Sequence, residues 1–158
     1  MTVTLITVGN LKESYLKEAA EEYKKRLSQF CKLEEISLKE EPIKNELDPS
    51  AIKRALELEG EKIIGSIPAG AYKVALCIEG KQFDSEGLAE IVRSAKDSTG
   101  KLALIIGSSH GLCDRVKSEC DLRLSFSKLT FPHQLMRVIL FEAVYRSFTI
   151  IAGKKYHK

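Results

Sequence analysis

Leu102-Ala103-Leu104-Ile105-Ile106-Gly107-Ser108-Ser109-His110-Gly111 is the stretch on which the reading of this chain turns. Its first five residues are apolar without interruption. That run is short for a helix and suits a strand covered on both faces. A strand buried on both sides belongs to a parallel sheet with helices packed above and below it. The glycines and small polar residues that follow stop the strand and expose backbone at its carboxyl end.

Outward from this stretch, the same alternation extends in both directions. Val74–Ile78 is a second apolar strand and Leu122–Phe126 a third. Thr2–Val8 is rich in β-branched residues and stops at Gly9, and Leu33–Leu38 is a weaker strand. Between them lie helical patterns. Ser14–Leu27 places Tyr15, Ala19, Tyr23 and Leu27 four apart on one stripe. Asp48-Pro49 supplies an N-cap and a first-turn proline. The helix that it opens puts Ile52, Leu56, Glu59 and Ile63 on one side. Asp84 or Ser85 caps a helix carrying Leu88, Ile91, Val92 and Ala95. Lys39–Asp48 is polar, contains Pro42, and reads as a loop. After the glycine stretch, two small strands and one long helix are expected, the helix running from Pro132 to about Ile151. Strands alternating with helices predict an α/β fold: a mainly parallel sheet with helices on both faces. In such sheets ligands bind outside the carboxyl ends of the strands. The loops after Ile78, Ile106 and Phe126 are therefore the candidate site.

Length and composition set bounds on this picture. The chain has 158 residues, which suits a single domain over 1–158. Hydrophobic residues make up 44% and charged residues 30%, a globular mix. Met1–Val8 lacks a basic n-region and reads as a first strand, not a signal peptide. Leu135–Ile151 comes closest to a membrane span, but Arg137, Glu142 and Arg146 interrupt it. Cys31, Cys77, Cys113 and Cys120 form no CxxC pair, and Cys113, Cys120 and His110 match no zinc spacing. The expectation is a cytoplasmic protein with reduced thiols, no metal and no membrane contact.

Net charge is +3, too small by itself to announce nucleic acid. Its distribution says more: residues 132–158 carry Arg137, Arg146, Lys154, Lys155 and Lys158 against Glu142 alone. A basic end on a near-neutral body is either a phosphate-binding feature or a solvated tail. The final helix is unusual too. Leu135, Met136, Val138, Ile139, Leu140, Phe141, Val144, Tyr145 and Phe148 cover nearly its whole circumference. A helix apolar all round is buried all round. One face on the sheet and another on a second copy of the chain predicts a homodimer.

Gly107-Ser108-Ser109-His110-Gly111 also fits G-x-S-x-G, the nucleophile-elbow pattern of the α/β-hydrolases. Asp114 or Asp121 and then His133 follow in the expected order. Against a serine hydrolase stand the short chain, the few elements left to carry the acid and the histidine, and the lack of an earlier glycine-rich loop for an oxyanion hole. The chain also lacks both G-x-G-x-x-G and a Walker A sequence, so a ligand held by its phosphates is not indicated. A non-catalytic RNA-binding module remains an alternative, because composition is neutral on catalysis.

Three segments are more specific: Val8-Gly9-Asn10-Leu11-Lys12, the run Leu124–Arg137 (LSFSKLTFPHQLMR), and Ala143-Val144-Tyr145-Arg146 through Tyr156-His157-Lys158. Together they resemble the bacterial 23S ribosomal RNA pseudouridine N3-methyltransferases, a minimal branch of the SPOUT class, over essentially the whole chain. The resemblance implies a SPOUT-type trefoil-knotted fold, a homodimer, and S-adenosyl-L-methionine held in the knot loops. By position, the cofactor residues would be Leu76, Gly107, Phe126, Ser127, Lys128, Leu129, Thr130 and Phe131. The family often has a second glycine where this chain has Ser108. The implied substrate is a pseudouridine of 23S rRNA, in the large subunit or the assembled ribosome. Its N3 would attack a sulfonium methyl in line while losing a proton. The enzyme would contribute alignment and a base. His133, Tyr156 and His157 are the candidate catalytic residues. Arg146, Lys154, Lys155 and Lys158 are the candidate RNA contacts, with Arg137. For Arg137 and Arg146, phosphate contact and a buried interface pair both remain open.

Overall fold

The computed structural model describes residues 1–154 and Tyr156; Lys155, His157 and Lys158, named above for catalysis or RNA contact, lie outside the described residues. Five strands, β1 Thr2–Val8, β2 Lys32–Leu38, β3 Tyr72–Lys81, β4 Lys101–Ile106 and β5 Leu122–Leu124, form one sheet in the order β2-β1-β4-β3-β5. Every pairing is parallel. The helices are α1 Ser14–Leu27, α2 Pro49–Ser66, α3 Ser85–Ser98, α4 Asp114–Glu119 and α5 His133–Ile151.

The period of two along each strand divides the core. Val3 and Leu5, with Leu102, Leu104 and Ile106, face α1, α3 and α5. Ile6 and Val8, with Ile105 and Ala75, face α2 and the region of α4. The central strands β1 and β4 are buried along nearly their whole length, as an uninterrupted apolar run requires. The edge strand β2 reads KLEEISL and keeps Lys32, Glu35 and Ser37 in or near solvent.

Asp48 caps α2 by accepting from the Ser50 N–H at 2.9 Å, with Pro49 in the first turn. Such a cap is worth about 1 kcal/mol. Asp84 caps α3 the same way through the Gly87 N–H, at 2.7 Å. Gly153 closes α5 at φ +62°, with Lys154 N–H donating to Thr149 O and Gly153 N–H to Ile150 O. That is the Schellman arrangement expected of a glycine just past a helix.

Several expectations need correction. The buried stripe of α1 is Leu16, Ala20 and Leu27, while Tyr15 is 65% exposed. The pattern read from Tyr15 was one residue out of phase at its start. A short helix, α4, stands where a second small strand was expected, and β5 ends at Leu124 and not at Phe126. The α5 helix is not buried all round within one chain. Leu140, Phe141, Val144 and Phe148 are buried, each worth roughly 1.5–3 kcal/mol. Leu135 is 38% exposed, and Val138 and Ile139 are only partly covered.

Candidate functional site

The carboxyl ends of β3, β4 and β5 lie side by side in the sheet, and the chain leaving each of them walls one cavity of about 300 Å³. From β3 come Leu76, Cys77, Ile78 and Glu79. From β4 comes the Gly107–Gly111 turn, and from β5 Ser125–Ser127 with Leu129–Phe131. His133 and Met136 of α5 complete the wall. All the cofactor positions implied by the resemblance line it except Lys128, which is exposed on the same loop.

Each wall is shaped by a backbone constraint. At Gly107 a Cβ would lie 2.0 Å from the Gly111 carbonyl oxygen, so only glycine lets this turn fold back on itself. The turn closes by Gly111 N–H donating to Ser108 O at 2.9 Å, with Gly111 at φ +87°. Gly107 is thus required by its own loop, whatever it does for a ligand. Gly80 is just as confined: a Cβ there would lie 2.6 Å from the backbone of Leu124 and 2.8 Å from that of Arg123. The β3 register against β5 jumps between Leu76 and Lys81, and of the residues between, Cys77, Ile78 and Glu79 line the cavity. On the β5 side, Ser125 Oγ donates to Ser127 O and Leu129 N–H donates to Ser127 Oγ, both at 3.0 Å.

The lining is mostly apolar, from Leu76, Ile106, Leu112, Leu124, Phe126, Leu129 and Met136. Leu129 is 70% exposed at the rim, an apolar side chain held where a ligand could cover it. On the rim, Lys117 Nζ meets Glu79 at 2.5 Å. That contact holds the Glu79 carboxyl below its usual range and pushes the Lys117 ammonium up. Burial raises the Cys77 thiol, which therefore stays protonated.

His133 stands at the first turn of α5. Burial pulls its imidazole below the usual histidine value, with Arg137 and Lys12 adding to that and Glu40 opposing it. The ring is neutral at pH 7 and able to accept a proton. Gly9, at φ +83°, lies beside it: a Cβ there would be 3.7 Å from His133 Nε2 and 3.9 Å from Glu40 Oε2. Lys12 N–H donates to Gln134 Oε1 at 2.8 Å, tying the loop after β1 to the start of α5.

Arg137 is not on a surface that RNA could reach. It is 4% exposed, and its Nη2 donates to Thr7 Oγ1 at 2.6 Å and Gly9 O at 2.8 Å. Burial lowers its guanidinium from the usual range, and Nε has no partner among the described residues. Its role within one chain is to tether α5 to the end of β1. Arg146 is half-buried and bidentate on Glu142 Oε1, at 2.6 and 3.0 Å, and stacks 4.9 Å from the Tyr156 ring. Lys154 donates to Gln29 Oε1 and lies 4.5 Å from the Phe30 ring.

Tyr156 packs edge-on against Tyr145 at 4.9 Å. Tyr145 is twelve residues beyond His133 on α5, about 18 Å along the axis at 1.5 Å per residue. Within one chain, then, Tyr156 and the cavity are not brought together.

The serine-hydrolase alternative finds no support. Ser109 is exposed, its hydrogen-bond partner among the described residues is Glu40 at 3.5 Å, and no non-glycine residue described has positive φ. A nucleophile elbow strains its serine and sets a histidine against it. Among the described residues no group of three His, Cys, Asp or Glu is placed to hold a metal ion. No described helix is long and apolar enough to cross a membrane.

Sequence reasoning missed the 77–79 bulge, Lys117 and Met136. A bulge and a rim ion pair leave no periodic trace. Glu59 did leave one: a carboxylate on the apolar stripe of α2, now seen to be buried against the Gly107–Gly111 turn.

A family model described as "Predicted SPOUT methyltransferase" matches residues 1–157. A protein of Caldicellulosiruptor saccharolyticus named ribosomal RNA large subunit methyltransferase H is 47% identical over 99% of both chains. One of the same name from Clostridioides difficile is 45% identical over the full length of both. Among solved structures, a probable methyltransferase from Bordetella pertussis aligns over 92% of this chain and 95% of its own, with a TM-score of 0.56 at 14% identity. That likeness speaks to the fold alone.

Proposed function

The chain belongs to the SPOUT methyltransferase family, and on that premise we propose that it transfers a methyl group from S-adenosyl-L-methionine to N3 of a pseudouridine in 23S rRNA of the large subunit, in the cytoplasm. The observation that carries this reading is the cavity, walled by the positions that the resemblance implied for the cofactor. The relatives' names supply the ribosomal substrate.

The cavity fits the ligand in chemistry. Adenine and ribose carry no phosphate and need apolar walls beside exposed backbone, which the loops after β4 and β5 supply. Leu76, Gly107 and the Phe126–Phe131 loop, with Lys128 the least engaged, would hold it. When bound, S-adenosylmethionine supplies an electrophilic methyl on a sulfonium. The chain's own part is alignment of the incoming N3 and acceptance of its proton. His133, which lines the cavity with its ring kept neutral by burial, would accept it.

Tyr156 packs on Tyr145, well along α5 from the cavity, so it would serve this site from a second chain, and His157 would act beside it. The partly covered Leu135, Val138 and Ile139 support a two-fold pairing along α5, which would bring the tail of one copy to the cavity of the other. Arg146, Lys154, Lys155 and Lys158 would then flank RNA at a shared site. The trefoil-knotted threading of the SPOUT class is part of the same proposal.

Calorimetric titration with S-adenosylmethionine tests the reading. One site per chain is expected, and absence of binding would remove the methyltransferase reading. A chain lacking Tyr156–Lys158 should bind the cofactor as before and lose at least ~10²-fold in methyl transfer, the lower range for a lost acid–base group.

A further inference from the structure

Glu59 is a carboxylate on the inner face of α2, only 3% exposed. Its two oxygens reach two different loops. Oε2 accepts from Ser108 Oγ at 2.9 Å, in the turn that walls the cavity. Oε1 accepts from Glu41 N–H at 2.9 Å, in the segment that leaves β2. No lysine or arginine pairs with it among the described residues. A buried carboxylate without a cation is expensive and persists only where hydrogen bonds hold it.

The neighbouring residue presses on the same structure. At Gly60 a Cβ would lie 2.4 Å from Cys113 Sγ and 3.3 Å from Val116 Cγ2. So α2 lies directly on the residues that follow the turn, while Glu59 grips the turn itself. Ser109, beside Ser108, reaches Glu40 of the β2 segment at 3.5 Å. The Ser108 hydroxyl is what the buried carboxylate engages.

We propose that Glu59 is a positioning residue for the cofactor turn. Acting through Ser108 and the Glu41 backbone, it sets the shape of the Gly107–Gly111 wall and so the affinity for S-adenosylmethionine. This rests on the methyltransferase reading. Glu59 itself touches no ligand.

Glu59→Gln keeps the brace: the amide oxygen still accepts from Glu41 N–H, and the NH2 meets a hydroxyl that can turn to accept. Its cofactor Kd should stay within about twofold of wild type. Glu59→Leu leaves both donors without a partner and should weaken binding by about tenfold. Ser108→Ala should fall between them and add little in the Glu59→Leu background, since both act through one contact. The KM for cofactor should rise with the KM for RNA unchanged. Val92→Ala, in the core on α3, controls for stability: it should lower Tm without moving Kd. A readout that needs no ligand separates the brace from the methyltransferase reading. Hydrogen exchange at the Gly111 amide, which bonds to Ser108 O, should quicken in Glu59→Leu and not in Glu59→Gln. Unchanged exchange and unchanged Kd in Glu59→Leu would overturn the proposal. If that variant fails to fold, Ser108→Ala decides, and a wild-type Kd there overturns it equally.

Discussion

Two glycines separated by three residues do different work at the end of β4. Gly107 is needed because its own turn leaves no space for a Cβ, the nearest atom being a backbone oxygen at 2.0 Å. Gly111 is needed for its φ of +87°, with nothing within 4 Å of a would-be Cβ. Gly107→Ala should therefore unfold or displace the turn, costing about 3 kcal/mol or more, the upper end for an overpacked site, with cofactor binding lost in parallel. Gly111→Ala should cost only about 1–2 kcal/mol, the strain of a left-handed alanine. Thermal unfolding of the two variants checks the order, and an equal or inverted cost contradicts it. The sequence predicts a strand end with exposed backbone here. It could not show that the tighter glycine answers to the loop itself, because that depends on where a carbonyl four residues away ends up. Arg137 makes the same point. It read as a cation for phosphate or for a buried pair, and it is buried on a hydroxyl and a carbonyl.

At the scale of elements, the strands were legible because uninterrupted apolar runs have few other meanings, and the caps at Asp48 and Gly153 announced themselves by residue type. What failed were features without a period. The α4 helix spans only Asp114–Glu119 and carries Val116 as its buried residue, too little to outweigh the strand-like residues around it. The bulge of β3 depends on a register shift that only the partner strand defines. Gly80 is the hinge of that arrangement. Gly80→Ala would drive a methyl group into the backbone of β5, which cannot step aside as a side chain could. It should destabilise by more than about 2 kcal/mol or abolish soluble expression, as chemical denaturation would show. A variant with near-native stability would mean that Gly80 does not pack on the β5 backbone as described.

For the molecule as a whole, the α/β fold class and a cavity at the strand ends were readable from alternation alone. The relation between the two proposed catalytic residues was not, because it depends on the path of the chain: His133 opens α5 and Tyr156 packs on Tyr145 well along it. In the proposed dimer a second copy would join them, on the face where α5 leaves apolar residues partly covered. Light scattering at micromolar concentration should give twice the chain mass of 17.7 kDa. A monomer there would leave the tail without a site to complete. The central claim concerns chemistry, and one measurement meets it most directly. Large ribosomal subunits carrying pseudouridine but not its N3-methyl form are incubated with the protein and S-adenosylmethionine, and the digested 23S rRNA is read by mass spectrometry. The account predicts one added methyl group, located on N3 of a pseudouridine and dependent on both protein and cofactor. Unmodified pseudouridine throughout, or a methyl group on any other atom, would contradict it.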